Sequence, residues 1–151
     1  MILGKQTIEL HPYCMSSVVS MHEIGHAVGF FHEHSRNDRD DHVEIVWENI
    51  HKDKEHSYRK KHISDSNNYG ILYDYTRMMH GKKNLIGKLA IKTEDKTYQD
   101  KISRYETFSF YDIKLANLMC ECNESCAPDI VCPGEGFVGK DCKCYCQGRP
   151  K

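Results

Sequence analysis

Apolar residues recur at near-helical spacing over residues 15–28, where Met15, Val18, Val19, Met21, Ile24, Ala27 and Val28 are interrupted by Ser, His and Glu. This predicts a helix with Ser16 or Ser17 as N-cap and Gly29 as its stop, because glycine takes the left-handed conformation that closes a helix. Upstream, QTIEL at residues 6–10 alternates polar and apolar positions and predicts a short strand, ended by His11-Pro12 because proline cannot continue a ladder. Residues 43–61, VEIVWENIHKDKEHSYRKK, predict an exposed helix with a thin apolar stripe of Val46, Ile50 and Tyr58, and Trp47 packs with that stripe. SDSNNYG is a polar turn, and residues 71–105 read as loop with short, poor strands. SFYDIKLANLM predicts a last helix, opened by Ser109 and Asp112 at capping-box spacing. Beyond Cys122 the composition turns to Gly, Pro and Cys, so the expected organisation is a main domain over 1–122 and a small extension over 123–151.

Composition changes this picture in two ways. The balance of 21 basic against 22 acidic residues gives no sign of a nucleic-acid or anionic-membrane partner. Seven of the eight cysteines fall between Cys120 and Cys146, a density typical of small extracellular modules stapled by disulfides, which predicts an oxidising compartment. The opening residues MILGKQTIEL contain neither a signal peptide nor a transmembrane segment, so the expectation is a secreted protein whose export signal lies outside this chain. Cys126, Cys132, Cys142, Cys144 and Cys146 of the extension, to which Cys120 adds a sixth, leave the pairing open, and a structural zinc cluster is the rival to disulfides.

The chemistry is concentrated in VVSMHEIGHAVGFFHEHSRNDRDDHVEI, residues 18–45. On a helix, His22 and His26 lie four residues apart and project from one face about 40° apart, so both imidazoles can reach one ion. A hydrolytic zinc site takes three protein ligands and keeps a fourth position for water, whose pKa falls toward about 7. His32 supplies the third ligand once Gly29 has turned the chain back over the same face, completing HExxHxxGxxH. Glu23 is left to act as general base, taking a proton from that water as it attacks a peptide carbonyl and passing it to the departing amine. The other histidines, His11, His34, His42, His51, His56, His62 and His80, sit in polar surroundings and are expected to be exposed, with His80, next to Met79, as the exception.

HEIGHAVGFFHEHSRNDRD resembles the extended zinc motif of the astacin-type metallopeptidases, a branch of the metzincins, through Glu33, Arg36, Asp38, Arg39 and Asp40. YDYTRMMHG is similar to that family's Met-turn, and FSFYDIKLANLMCEC to the helix and cysteine that close its catalytic domain. The resemblance implies an α+β, zincin-like catalytic domain with one Zn2+ per chain, held by His22, His26 and His32, and protein or peptide substrates. It implies Glu23 as the catalytic carboxylate, Met79 as a hydrophobic floor below the metal, and Glu33 as the partner of the buried N-terminus of a mature enzyme. His80 follows Met79 without being a ligand, and Arg36 and its acidic neighbours organise the loop after the third ligand. CPGEGFVGKDC is similar to the second half of an EGF-like repeat.

The chain also departs from the family pattern. Arg77 stands where the Met-turn usually has serine, and Gly81 where a tyrosine normally supports the transition-state oxyanion, a loss worth on the order of 100-fold in turnover. In the family most of the sheet precedes the strand like QTIEL, as do the partners of Cys14 and Cys122, so the expectation is a domain lacking most of its N-terminal sheet, with little activity in isolation. The alternative to a zinc endopeptidase is an inactive extracellular binding protein built on a degenerate peptidase fold.

Overall fold

The apolar rhythm of residues 15–28 becomes helix α1, Ser17–Val28. Ser16 is its N-cap, with Oγ accepting the Val19 amide at 3.2 Å, which satisfies one of the orphan donors of the first turn. Gly29 closes it at φ 115°, a left-handed conformation, donating its amide to the Gly25 and His26 carbonyls while the Phe30 amide returns to Gly25 at 2.9 Å. The chain thereby reverses within one residue. The computed structural model describes residues 4–14, 16–80, 88–102, 104 and 106–148.

After α1 come 3-10 turns at Glu33–Ser35 and Arg39–Asp41, strand β1 at Val43–Ile45, 3-10 turns at Trp47–Asn49 and Lys52–Tyr58, and strand β2 at Ile91–Thr93. The two strands pair antiparallel with Val43 opposite Thr93, Glu44 opposite Lys92 and Ile45 opposite Ile91. One face of this ribbon carries Val43, Ile45 and Ile91, which join Ile50, Ala90 and Ile102 in a buried cluster flanked by Tyr58, Tyr73 and Tyr75. The other face puts Glu44 against Lys92 in solvent.

Contacts divide the chain into two compact units at Ser109/Phe110. The second unit contains helix α2, Phe110–Met119, and a hairpin of β3, Phe137–Val138, with β4, Cys144–Tyr145. Phe137 stacks on Tyr145 and meets Phe110, both at 5.5 Å between ring centres. Disulfides Cys126–Cys142 and Cys132–Cys144 close loops of 16 and 12 residues, each worth about 3 kcal/mol in lost unfolded-state entropy. Cys120, Cys122 and Cys146 are free thiols. Among the described residues no helix is long and apolar enough to cross a membrane.

Two expectations are corrected. Residues 6–10 belong to no β-ladder in the described structure; a strand needs a hydrogen-bonded neighbour, and this segment is instead tied to α1 by Gln6 Nε2 donating to the Ala27 carbonyl at 3.1 Å. Residues 43–61 are not a helix. The β-branched run Val43, Ile45, Val46 is buried at alternate positions before it turns, and the spacing of Val46 and Ile50, which fits a helix, is met by a 3-10 turn that buries both.

Gly25 is the buried residue of α1. A Cβ there would stand 2.8 Å from Met79 Sδ and 3.3 Å from Phe30 Cδ2, and Met79 is fully buried, so the packing around it must shift. Gly25→Ala is therefore expected to destabilise, overpacking of about 1–3 kcal/mol outweighing a helix-propensity gain of at most about 1 kcal/mol. A lower urea midpoint with unchanged slope is the readout.

Candidate metal centre

α1 presents His22 and His26 one turn apart, and the reversal at Gly29, anchored by buried Phe30, swings His32 over the same face. One ring nitrogen from each of the three lies within 4.8 Å of the others, and this is the one metal-ligand cluster among the described residues. The ring centres are 4.8 Å (His22–His26), 5.2 Å (His22–His32) and 4.7 Å (His26–His32) apart.

The second hydrogen-bonding nitrogen of two rings is already committed. His26 Nδ1–H donates to the Phe30 carbonyl at 2.9 Å and His22 Nδ1–H to the Met78 carbonyl at 3.3 Å, which fixes the tautomer that leaves each Nε2 lone pair toward the cluster. His22 Nε2 and His32 Nε2 are 3.2 Å apart. Two nitrogens bound at about 2.0–2.1 Å to one tetrahedral zinc would be separated by roughly 3.3–3.4 Å, so this pair fits that ion. Burial, reinforced by the nearby His34, His26 and His22, lowers the pKa of His32 to about 3, keeping it neutral as a ligand must be.

Glu23 opens, with His22, onto a cavity of about 250 Å³ whose other walls are Val18, Val19, Arg77, Met78 and His80. Met79 lies below α1, its side chain against Gly25, and its carbonyl accepts the Glu33 amide at 3.0 Å. Glu33 itself is 1% exposed. Its Oε1 accepts from Arg36 and from the Asp74 amide, both at 3.1 Å, and its Oε2 from Arg77 at 2.5 Å. Burial pushes its carboxyl upward, and the two guanidiniums and the amide pull it back. The resemblance pairs Glu33 with an N-terminus; residues 1–3 fall outside the described ones, and the partners found are these two arginines.

Arg36 also grips both oxygens of Asp38 and donates to the Ile71 and Leu72 carbonyls, while Arg39 donates to the His34 and Tyr58 carbonyls and pairs with Asp40. These residues organise the loop after His32, as the reading of Arg36 anticipated. His34, expected at the surface, is buried at 5% exposure, and His80, the exception to that expectation, is buried at 4%. His34 lies in a stack between His32 and Tyr58 with its Nε2 on the Ser57 carbonyl at 3.2 Å, and His80 Nε2 is hydrogen-bonded to the Tyr73 hydroxyl at 2.7 Å, partners 7 to 24 residues away. Gly81 lies outside the described residues, as does the side chain of Cys14. Gly25 carries no signal of a site role in the sequence, whereas Arg77 does, as a cation replacing serine beside the Met-turn methionine.

Comparison with known proteins agrees with this geometry. Residues 1–121 match the model of the peptidase family described as Astacin. The chain is 36% identical over 137 residues to zinc metalloproteinase dpy-31 of Brugia malayi, covering 88% of this chain and 23% of that protein. It is 34% identical over 148 residues to blastula protease 10 of Paracentrotus lividus, covering 95% and 25%. Among solved structures it is similar to high choriolytic enzyme 1, a hatching enzyme zinc-protease from Oryzias latipes, with a TM-score of 0.63, 33% identity, and 72% of this chain and 54% of that one covered. The chain belongs to the astacin family, and its fold is the α+β, zincin-like fold of that family with a disulfide-bonded C-terminal extension. It spans about a quarter of the length of the curated relatives it matches.

The buried imidazoles set a pH dependence. His34, like His32, has its pKa lowered from 6.5 to about 3, by burial and by His80, with the Ser57 carbonyl pulling the other way. Between about 3 and 6.5 the unfolded chain binds these protons and the folded chain does not, so stability is lost as pH falls through that window and levels off below it. The urea midpoint of metal-free chain is expected to drop from neutral pH to about pH 4, and His34→Gln, which keeps a donor for the Ser57 carbonyl, to reduce that drop.

Proposed function

We propose that this chain carries the site of a zinc-dependent endopeptidase acting on peptide bonds of protein substrates. The observation that supports it best is the convergence of His22, His26 and His32, two of them held through Nδ1–H by backbone carbonyls, with Glu23 opening onto a cavity beside them. His22, His26 and His32 would hold one Zn2+ per chain, Gly29 shaping the reversal that brings in the third. Bound there, zinc supplies a Lewis acid that polarises a carbonyl and acidifies water.

The rest of the chemistry belongs to the chain. Glu23 takes the proton of the attacking water and returns it to the leaving amine, a role worth typically 10²–10⁴-fold. The Val18, Val19 and Met78 walls seat an apolar part of the peptide. The Met78 and Phe30 carbonyls hold two ligand rings in orientation, and the Glu33 cluster holds the segment that bears Met78 and Met79. Met79 forms the floor that keeps α1 at its height.

The reading extends to organisation and place. The peptidase domain covers 1–122, and 123–151 is an EGF-like, disulfide-stapled extension; its two disulfides accord with a secreted, extracellular protein. The expected result is that the zinc-loaded chain degrades denatured casein slowly, and that Glu23→Ala lowers the rate at least about 100-fold while still binding one zinc. Stoichiometric zinc with no Glu23-dependent cleavage would instead support the binding-protein reading.

A further inference from the structure

Arg77 stands apart from the ligands in sequence and yet closes the frame around them. Its Nη1 reaches Glu33 Oε2 across 44 residues, and Glu33 directly follows the third histidine of the cluster. One residue after Arg77, the Met78 carbonyl receives His22 Nδ1–H at 3.3 Å, and the next carbonyl, of Met79, receives the Glu33 amide at 3.0 Å. His32, Glu33, Arg77, Met78 and His22 therefore form a ring of bonds, part covalent and part hydrogen-bonded, that returns to the 3.2 Å separation between His22 Nε2 and His32 Nε2. Arg36 cannot substitute, because its remaining donors are held by Asp38 and by the Ile71 and Leu72 carbonyls, upstream of the turn. Arg77 is also 5% exposed and forms a wall of the cavity that Glu23 faces.

We propose that Arg77 is a positioning residue of the metal centre: its ion pair with Glu33 pins the Met78–Met79 backbone and so sets the spacing of His22 against His32. The inference rests on the reading that the three histidines hold zinc. Bonds of this outer kind typically tune metal affinity by 10–100-fold, and the charge is what matters, since a shorter cation can still meet Oε2 while an apolar side chain cannot.

The test titrates the full 151-residue chain with Zn2+ by calorimetry and records the visible spectrum of the Co2+ form, for wild type, Arg77→Met, Arg77→Lys and the double variant Arg77→Met with Glu33→Gln. Arg77→Met is expected to lose at least tenfold in zinc affinity and to alter the Co2+ bands with unchanged far-UV circular dichroism, and Arg77→Lys to recover most of both. If Arg77→Met does not fold, the double variant, which removes both buried charges, decides: the same tenfold loss supports the proposal and wild-type affinity overturns it. Wild-type affinity and spectrum in folded Arg77→Met, or a loss that Arg77→Lys does not repair, also overturn it. A wild-type chain that takes up no zinc overturns the zinc reading together with this one.

Discussion

A carboxylate withdrawn from water costs several kcal/mol unless its lone pairs are filled, and Glu33 is withdrawn almost completely. Two guanidinium donors and the Asp74 amide fill them. What this arrangement accomplishes is assembly: the residue after His32, the turn carrying Met78 and Met79, and the segment at Ile71–Leu72 gripped by Arg36 all meet at one side chain. A metal site built from rings on a helix and a loop needs such a junction, because loops alone do not hold imidazoles to a few tenths of an ångström.

The site was legible where its geometry is local. The four-residue spacing of His22 and His26, the left-handed stop at Gly29 and the return of His32 follow from helix geometry and one backbone conformation, and α1 has the cap and the stop its residues announce. Legibility failed where contacts are distant. Nothing in the surroundings of His34 or His80 reveals that Tyr58 and Tyr73 will cover them, and nothing near Arg77 points to Glu33. The misread segment after Asp41 fails differently: its apolar spacing satisfies a helix and a strand followed by a turn equally, and pairing with Ile91–Thr93 decides between them.

The floor below α1 is economical in residues. A glycine on the helix and a fully buried methionine on the turn approach within contact distance, and the unbranched thioether fills the irregular space that a branched side chain could not. The family resemblance names the methionine; the glycine that receives it, one position before His26, is the other half of the same packing decision.

Two sets of ion pairs in the first unit differ in their sensitivity to ionic strength. Glu33 with Arg36 and Arg77 is sealed from solvent, whereas Asp40–Lys60 and Glu44–Lys92 leave roughly half of each side chain in water. Mobile counter-ions screen the second group over a Debye length of about 8 Å at physiological salt and hardly reach the first. The frame of the metal centre is thus insulated against brine as well as dilute buffer, and any weakening by salt falls on the periphery.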